Sequence, residues 1–150
     1  MKTSALLATA FTAVFATSIA WASQDTPTSI GGAKVISVDE GRTLSAGKAA
    51  TFVDTRNPMN FGKGHVPGAV SASYKEKSEK AADFDASKDE FELAKLPADK
   101  AAKVVFYSDG PSGWKSYKAA VLAVKAGYKN VFYMRTGFAE WETKGLPIER

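Results

Sequence analysis

The sequence predicts an α/β domain built on a mostly parallel sheet. Two short apolar runs, Val104-Val105-Phe106-Tyr107 and Val131-Phe132-Tyr133-Met134, read as strands buried on both faces. Between them Tyr117, Ala120, Val121, Val124 and Tyr128 recur at helical spacing and form one apolar face. Strand, helix and strand joined by short links make a βαβ crossover, which pairs strands in parallel. At 150 residues, 45% hydrophobic and 24% charged, the chain has enough apolar material for one globular core. That composition excludes the disordered and collagen-like classes.

The elements follow in order along the chain. Met1-Lys2 supplies a basic start, residues 6–20 carry no charge, and Ala20 and Ala22 flank Trp21 in an A-x-A pattern. This is the layout of a secretory signal peptide over residues 1–22, with cleavage after Ala22. The apolar run is shorter than the roughly 20 residues that span a bilayer, so no membrane association is expected after cleavage. The alternative reading is an N-terminal core helix. The brevity of the leader points to a bacterial periplasm, where a chain without cysteine relies on its core alone. From Ser23 onward the balance is 19 basic against 16 acidic residues.

Residues 23–32 are polar and rich in Thr, Gly and Pro, and read as a flexible leader into a single domain at 33–150. Lys34-Val35-Ile36 is a short strand. Ser37 and Glu40 form a capping box for a helix running to about Ala46. Thr51-Phe52-Val53 is a second strand, and Val70 with its neighbours a third, weaker one. Within the long helix Lys115, Lys118 and Lys125 are placed towards water, and Gly127 suits the left-handed position just past its end. Residues 75–100 hold six Lys against eight Asp or Glu, which reads as a solvated, partly helical insertion. A nucleic-acid arm would be one-signed, so no nucleic-acid partner is expected.

Cysteine is absent, which removes disulfides, thiolate metal sites and cysteine nucleophiles. With one histidine, His65, a structural zinc site is also disfavoured, and neither metal nor cofactor is expected. The net charge of +4 and a pI near 9.2 favour anionic partners on a chain expected to be a monomer.

Two segments carry chemistry. Asp54 and Arg56 at a strand end can pair and fix the next turn, and Pro58 is suited to opening a one-turn helix. His65 reads as a structural hydrogen-bonding residue, since neither a nucleophile nor a carboxylate signature lies beside it. The second segment is Ser108-Asp109-Gly110-Pro111-Ser112-Gly113-Trp114-Lys115-Ser116, joining a buried strand to the long helix. Its glycines and proline shape a compact loop whose N–H groups, with the helix dipole, can cradle an anion. Ser108 stands where a nucleophile would be presented. Ser112 and Ser116 offer hydroxyls and Lys115 a charge; the plainer alternative is that Ser112 caps the helix and Lys115 is solvated. Phe61, Trp114 and Trp141 are either core aromatics or partner-facing ones.

Together these segments resemble the rhodanese-like domain family. Residues 54–69 follow the pattern D-x-R-x-P-x-E-[FY]-x-x-G-H-[IV]-P-G-A, with Asn60 in place of the Glu. The loop is similar to a C-x-G-P-x-C-W-x-S loop of exported bacterial members. The ending, from Gly127-Tyr128-Lys129-Asn130-Val131 through Trp141 to Gly145-Leu146-Pro147, is similar too, with Thr136 where a Gly is frequent. The resemblance spans residues 30–148. It implies a three-layer fold and sulfurtransfer through a loop cysteine, which takes sulfur as a persulfide and passes it to an acceptor. Here that position is Ser108, and the second loop cysteine is replaced by Gly113. A serine alkoxide is far more basic than a thiolate of pKa about 8.5, and oxygen cannot carry sulfane sulfur reversibly.

Three readings follow. The first is a non-catalytic module using the loop to bind a thiosulfate- or sulfate-like anion, or a periplasmic sulfur-metabolism or redox protein. The second is a sulfurtransferase whose cysteine has been exchanged for Ser108, by substitution or recent loss. The third is a serine hydrolase, which would need a base for Ser108.

Overall fold

The computed structural model describes residues 24–150; the segment read as a signal peptide lies outside the described residues. Five strands form one sheet in which every pairing is parallel: β1 (Ala33–Val35), β2 (Thr51–Asp54), β3 (Val70–Ser71), β4 (Lys103–Tyr107) and β5 (Asn130–Tyr133). Their order is β1-β5-β4-β2-β3. Helices α1 (Val38–Ala46), α2 (Pro58–Lys63) and α3 (Trp114–Lys125) lie between consecutive strands, and α4 (Gly137–Thr143) follows β5.

Side-chain alternation along each strand divides the core between the two faces of the sheet. On β4, Val104 and Phe106 join Trp114, Tyr117 and Ala120 of α3, while Val105 and Tyr107 join Val38, Phe138 and Trp141 on the other side. A strand buried on both faces must be apolar throughout, which is why β4 reads as a continuous run. Ala119, Ala120 and Ala123 are wholly buried, so the small side chains of α3 let its backbone approach the sheet. The resulting three layers agree with the fold class expected from the sequence.

The local signals act as expected. Ser37 and Glu40 complete a reciprocal capping box at α1, and Asn57 caps α2 with Pro58 at its first turn. Gly127 adopts φ +94° directly after α3, where a residue with Cβ would be strained. Trp114 and Trp141 are core residues, and Phe61 stacks on His65 with ring centroids 3.7 Å apart.

Three expectations are corrected by packing. Lys118 does not face water; it is fully buried. Its ammonium lies 2.8 Å from Glu76 Oε2 and 3.8 Å from Asp89 Oδ2, and it donates to the Ser78 hydroxyl and carbonyl. The chain between β3 and β4 is also less solvated than its charge suggests. It holds single 3₁₀ turns at Ala86–Lys88 and Leu93–Lys95 and folds back on itself through a Lys75–Glu90 bridge. Phe84 and Leu96 are sunk into the α3 side of the core. The leader is anchored as well. Thr26 donates to the Pro111 carbonyl from both its amide and its hydroxyl, at 2.8 and 2.7 Å, and its own carbonyl accepts from Arg135.

Asp89 gathers the insertion. It accepts from the hydroxyls of Tyr74 and Ser78 and from the amides of Lys77 and Ser78, all within 2.6–2.7 Å. Burial works to raise its pKa, but these donors outweigh burial and hold it at about 2. A carboxyl depressed on folding stabilises the protein above its unfolded pKa, and that contribution disappears as pH falls through the folded value. Urea unfolding across a pH series should therefore show about 2 kcal/mol lost from this group between pH 4 and 2. Asp89→Asn should be less stable at pH 7 and flatter over that acid range.

Candidate functional site

In a parallel sheet the strands deliver their C-terminal ends to one edge, and ligands bind there, where the chain changes direction across the sheet. Here the chain runs from β2 outward to β3, then returns across β2 to β4. Asp54 and Tyr107 lie in register at the ends of β2 and β4, so the Asp54–Arg56 turn and the Ser108 loop emerge side by side.

Arg56 organises the first of these. Its amide and Nε donate to Asp54 Oδ1, and Nη2 donates to Asp54 Oδ2 at 2.6 Å and to the Gly64 carbonyl at 2.7 Å. The guanidinium carbon sits 4.2 Å from the centre of the Phe138 ring. Asp54 is wholly buried and Arg56 is 5% exposed. Burial disfavours the arginine charge, but Asp54 more than offsets it and raises the guanidinium pKa above its ordinary value. Nη1 is left facing the loop, 3.8 Å from Asp109 Oδ1.

The loop itself is held from three directions. The Ser108 and Asp109 carbonyls accept from the amides of Phe138 and Ala139, at 2.8 and 2.9 Å, at the start of α4. Gly113 N–H donates to the Gly110 carbonyl, closing a turn inside the loop. Gln24 accepts from the Trp114 indole and Thr26 holds Pro111. Gly113, not Ser112, is the N-cap of α3, and no side chain caps it. The first-turn amides of α3 are therefore without side-chain partners at the loop, as helix geometry leaves them.

Ser108 is 3% exposed, and its hydroxyl has no hydrogen-bond partner among the described residues. It lines a cleft of about 200 Å³ together with Asp109, Ser112, Gly113, Trp114 and Lys115 of the same loop. Arg56, Asn57 and Asn60 form the wall opposite, and Glu76 and Lys80 reach in from the insertion. Gly110, Pro111 and Ser116 shape the loop without lining this cleft; Ser116 donates to the Gly113 carbonyl. Asn60 and Asp109 are shared with an adjoining cavity of about 240 Å³ beside Phe138 and Lys63.

His65 is elsewhere. Its Nδ1 lies 3.0 Å from the Phe61 carbonyl oxygen, its Nε2 3.6 Å from Glu149, and its backbone pairs with Glu149. His65 does not line the cleft, which leaves Ser108 without a histidine base. Glu76 and Lys80 escaped the sequence reading because nothing local marks which residues of a charged insertion fold back over a loop thirty residues away.

The comparisons with known proteins bear on this geometry. The rhodanese-like domain family pattern matches residues 37–144. The chain belongs to the rhodanese-like domain family. The Escherichia coli protein YibN is 30% identical over 118 residues, covering 78% of this chain and 73% of its own length. The BH2092 protein of Bacillus halodurans superposes with a TM-score of 0.60 at 18% identity, covering 77% of this chain and 76% of its own. A thiosulfate sulfurtransferase of Pseudomonas aeruginosa gives 0.56 at 18% identity over 79% of this chain, but the match takes in only 20% of that protein. At those identities the two structures speak for the fold alone.

Gly113 and Gly137 show why the loop takes this shape. A Cβ on Gly113 would stand 2.9 Å from both Ser108 Cβ and the Gly110 carbonyl oxygen. A Cβ on Gly137 would stand 2.5 Å from the Ser108 carbonyl oxygen, and Gly137 has φ +65°. Steric overlap and backbone strain combine there, so Gly137→Ala should cost about 2 kcal/mol or more in denaturant unfolding. The same variant should displace the amide resonances of residues 108–113.

Proposed function

We propose that this rhodanese-like domain binds a small oxyanion in the cleft between Ser108 and the first turn of α3, and does not transfer sulfur. The observation that carries this reading is Ser108, a residue 3% exposed whose hydroxyl makes no hydrogen bond among the described residues, lining a cleft that also holds Arg56, Lys80 and Lys115. The first-turn amides of α3 add donors and the positive end of the helix dipole. Asn60, where the family pattern has Glu, keeps an additional negative charge out of the wall.

Sulfurtransfer needs a thiolate to attack sulfane sulfur and to release it again as a persulfide. Among the atoms around this cleft there is no thiol, because the chain contains no cysteine. The serine hydrolase reading lacks a histidine base, since His65 is committed to the Phe61 carbonyl and to a backbone bridge with Glu149. The export signal read at residues 1–22 belongs to the same proposal, placing the domain among periplasmic anions and sulfur-handling proteins.

Amide spectra test the binding directly. Sulfate, thiosulfate or phosphate should produce saturable shifts at Gly110, Ser112 and residues 114–116, and no shifts there with any of them would refute the reading. The wild-type chain should form no thiocyanate from thiosulfate and cyanide. A second reading, an active enzyme that has lost its cysteine, has one specific support: Ser108 stands in the loop pattern where the family carries its sulfur-binding cysteine. Measurable thiocyanate formation by Ser108→Cys would favour that history, whereas a folded but inert variant would count against it.

A further inference from the structure

The cleft at Ser108 is lined by acids as well as cations. Glu76 and Asp109 share it with Ser108, Arg56, Lys80 and Lys115. Glu76 is held in position: its Oε2 is buried 2.8 Å from Lys118 Nζ, while Lys118 is tied in turn to Ser78. The Glu76 side chain is 14% exposed, and it forms part of the cleft wall. A carboxylate offers about four lone-pair sites on its two oxygens, and Lys118 engages only one of those oxygens. Asp109 is 68% exposed at the mouth, with one oxygen 3.8 Å from Arg56 Nη1.

A fully deprotonated oxyanion such as sulfate or thiosulfate presents acceptors only. Beside Glu76 and Asp109 it meets like charge and leaves their lone pairs unmatched in a partly desolvated cleft. An oxyanion that keeps one O–H differs. It can donate that hydrogen to a carboxylate while its other oxygens accept from Ser108, the α3 amides and the basic side chains. A site built to pair with a ligand O–H discriminates against an analogue that lacks it, because its own polar groups are left unpaired.

We propose that the cleft selects oxyanions carrying a hydrogen-bond donor, of which hydrogen phosphate is the simplest, over sulfate and thiosulfate. The selection rests on the anion-binding reading above and names the ligand class within it. Glu76 and Asp109 are the specificity-determining residues. Ser108 and the helix amides supply affinity common to both kinds of anion.

Titrating the folded chain with sodium phosphate and sodium sulfate, at neutral pH and matched ionic strength, tests the selection through the amide shifts of residues 108–116. Phosphate should bind about tenfold more tightly or better, the scale of one hydrogen bond to a charged group. Glu76→Gln and Asp109→Asn should each narrow that ratio, chiefly by strengthening sulfate, because an amide can donate where a carboxylate cannot. If Glu76→Gln fails to fold for want of a partner for Lys118, the exposed Asp109→Asn still carries the comparison. Equal affinity for the two anions in the wild-type chain, or an unchanged ratio in the folded variants, would overturn the selection and leave the anion site standing. No response to either anion would remove the anion site as well.

Discussion

The buried Asp54–Arg56 ion pair is the interaction around which this end of the molecule is arranged. An arginine this deep is tolerated only if its donors are matched, and here they are divided among three neighbours. Asp54 takes two nitrogens, the Gly64 carbonyl takes another hydrogen, and the Phe138 ring covers the flat face. One residue thus ties the end of β2 to the end of α2 and to α4. Removing either charge would leave the other buried and unpaired, an outcome far costlier than losing a surface pair. The same geometry turns the remaining nitrogen towards the Ser108 loop, so a structural ion pair also sets the electrostatics of the cleft.

A second charged cluster does comparable work on the opposite wall. Lys118 comes from the helix that begins at the cleft, while Glu76, Ser78 and Asp89 come from the segment between β3 and β4. The ammonium lies 5.2 Å from the Phe84 ring centre, so apolar and polar contacts converge on one side chain. The insertion is fastened to α3 by its charges and not merely displayed by them. Glu76 and Lys80 reach the cleft because that fastening fixes the path of the chain.

What the sequence discloses and what it hides divide along a physical line. Elements set by local rules are visible: the Ser37–Glu40 capping box, Pro58 opening α2, the unbroken apolar runs of β4 and β5, and Gly127 ending α3. The Asp54–Arg56 pairing and the Ser108 loop are visible because both partners lie within a few residues. Lys118 is not, since helical spacing places it among exposed lysines and only a fold-back forty residues earlier in the chain buries it. Thr26 is hidden likewise, for its partners Pro111, Tyr133 and Arg135 lie over eighty residues away. Polar residues that serve long-range contacts carry no periodic signature, and in this molecule those are the residues that complete the site.

The close packing of Ser108 against Gly113 has a consequence for how the loop behaves over time. A pair of thiols in these places would pass among thiolate, sulfenic acid and disulfide as its surroundings changed, with a different shape and charge in each state. A hydroxyl next to a bare α-carbon has no such ladder to climb, and no methionine lines the cleft. The loop has no thiol with which to record oxidant exposure, and Ser108 keeps one shape and charge whatever the redox poise around it.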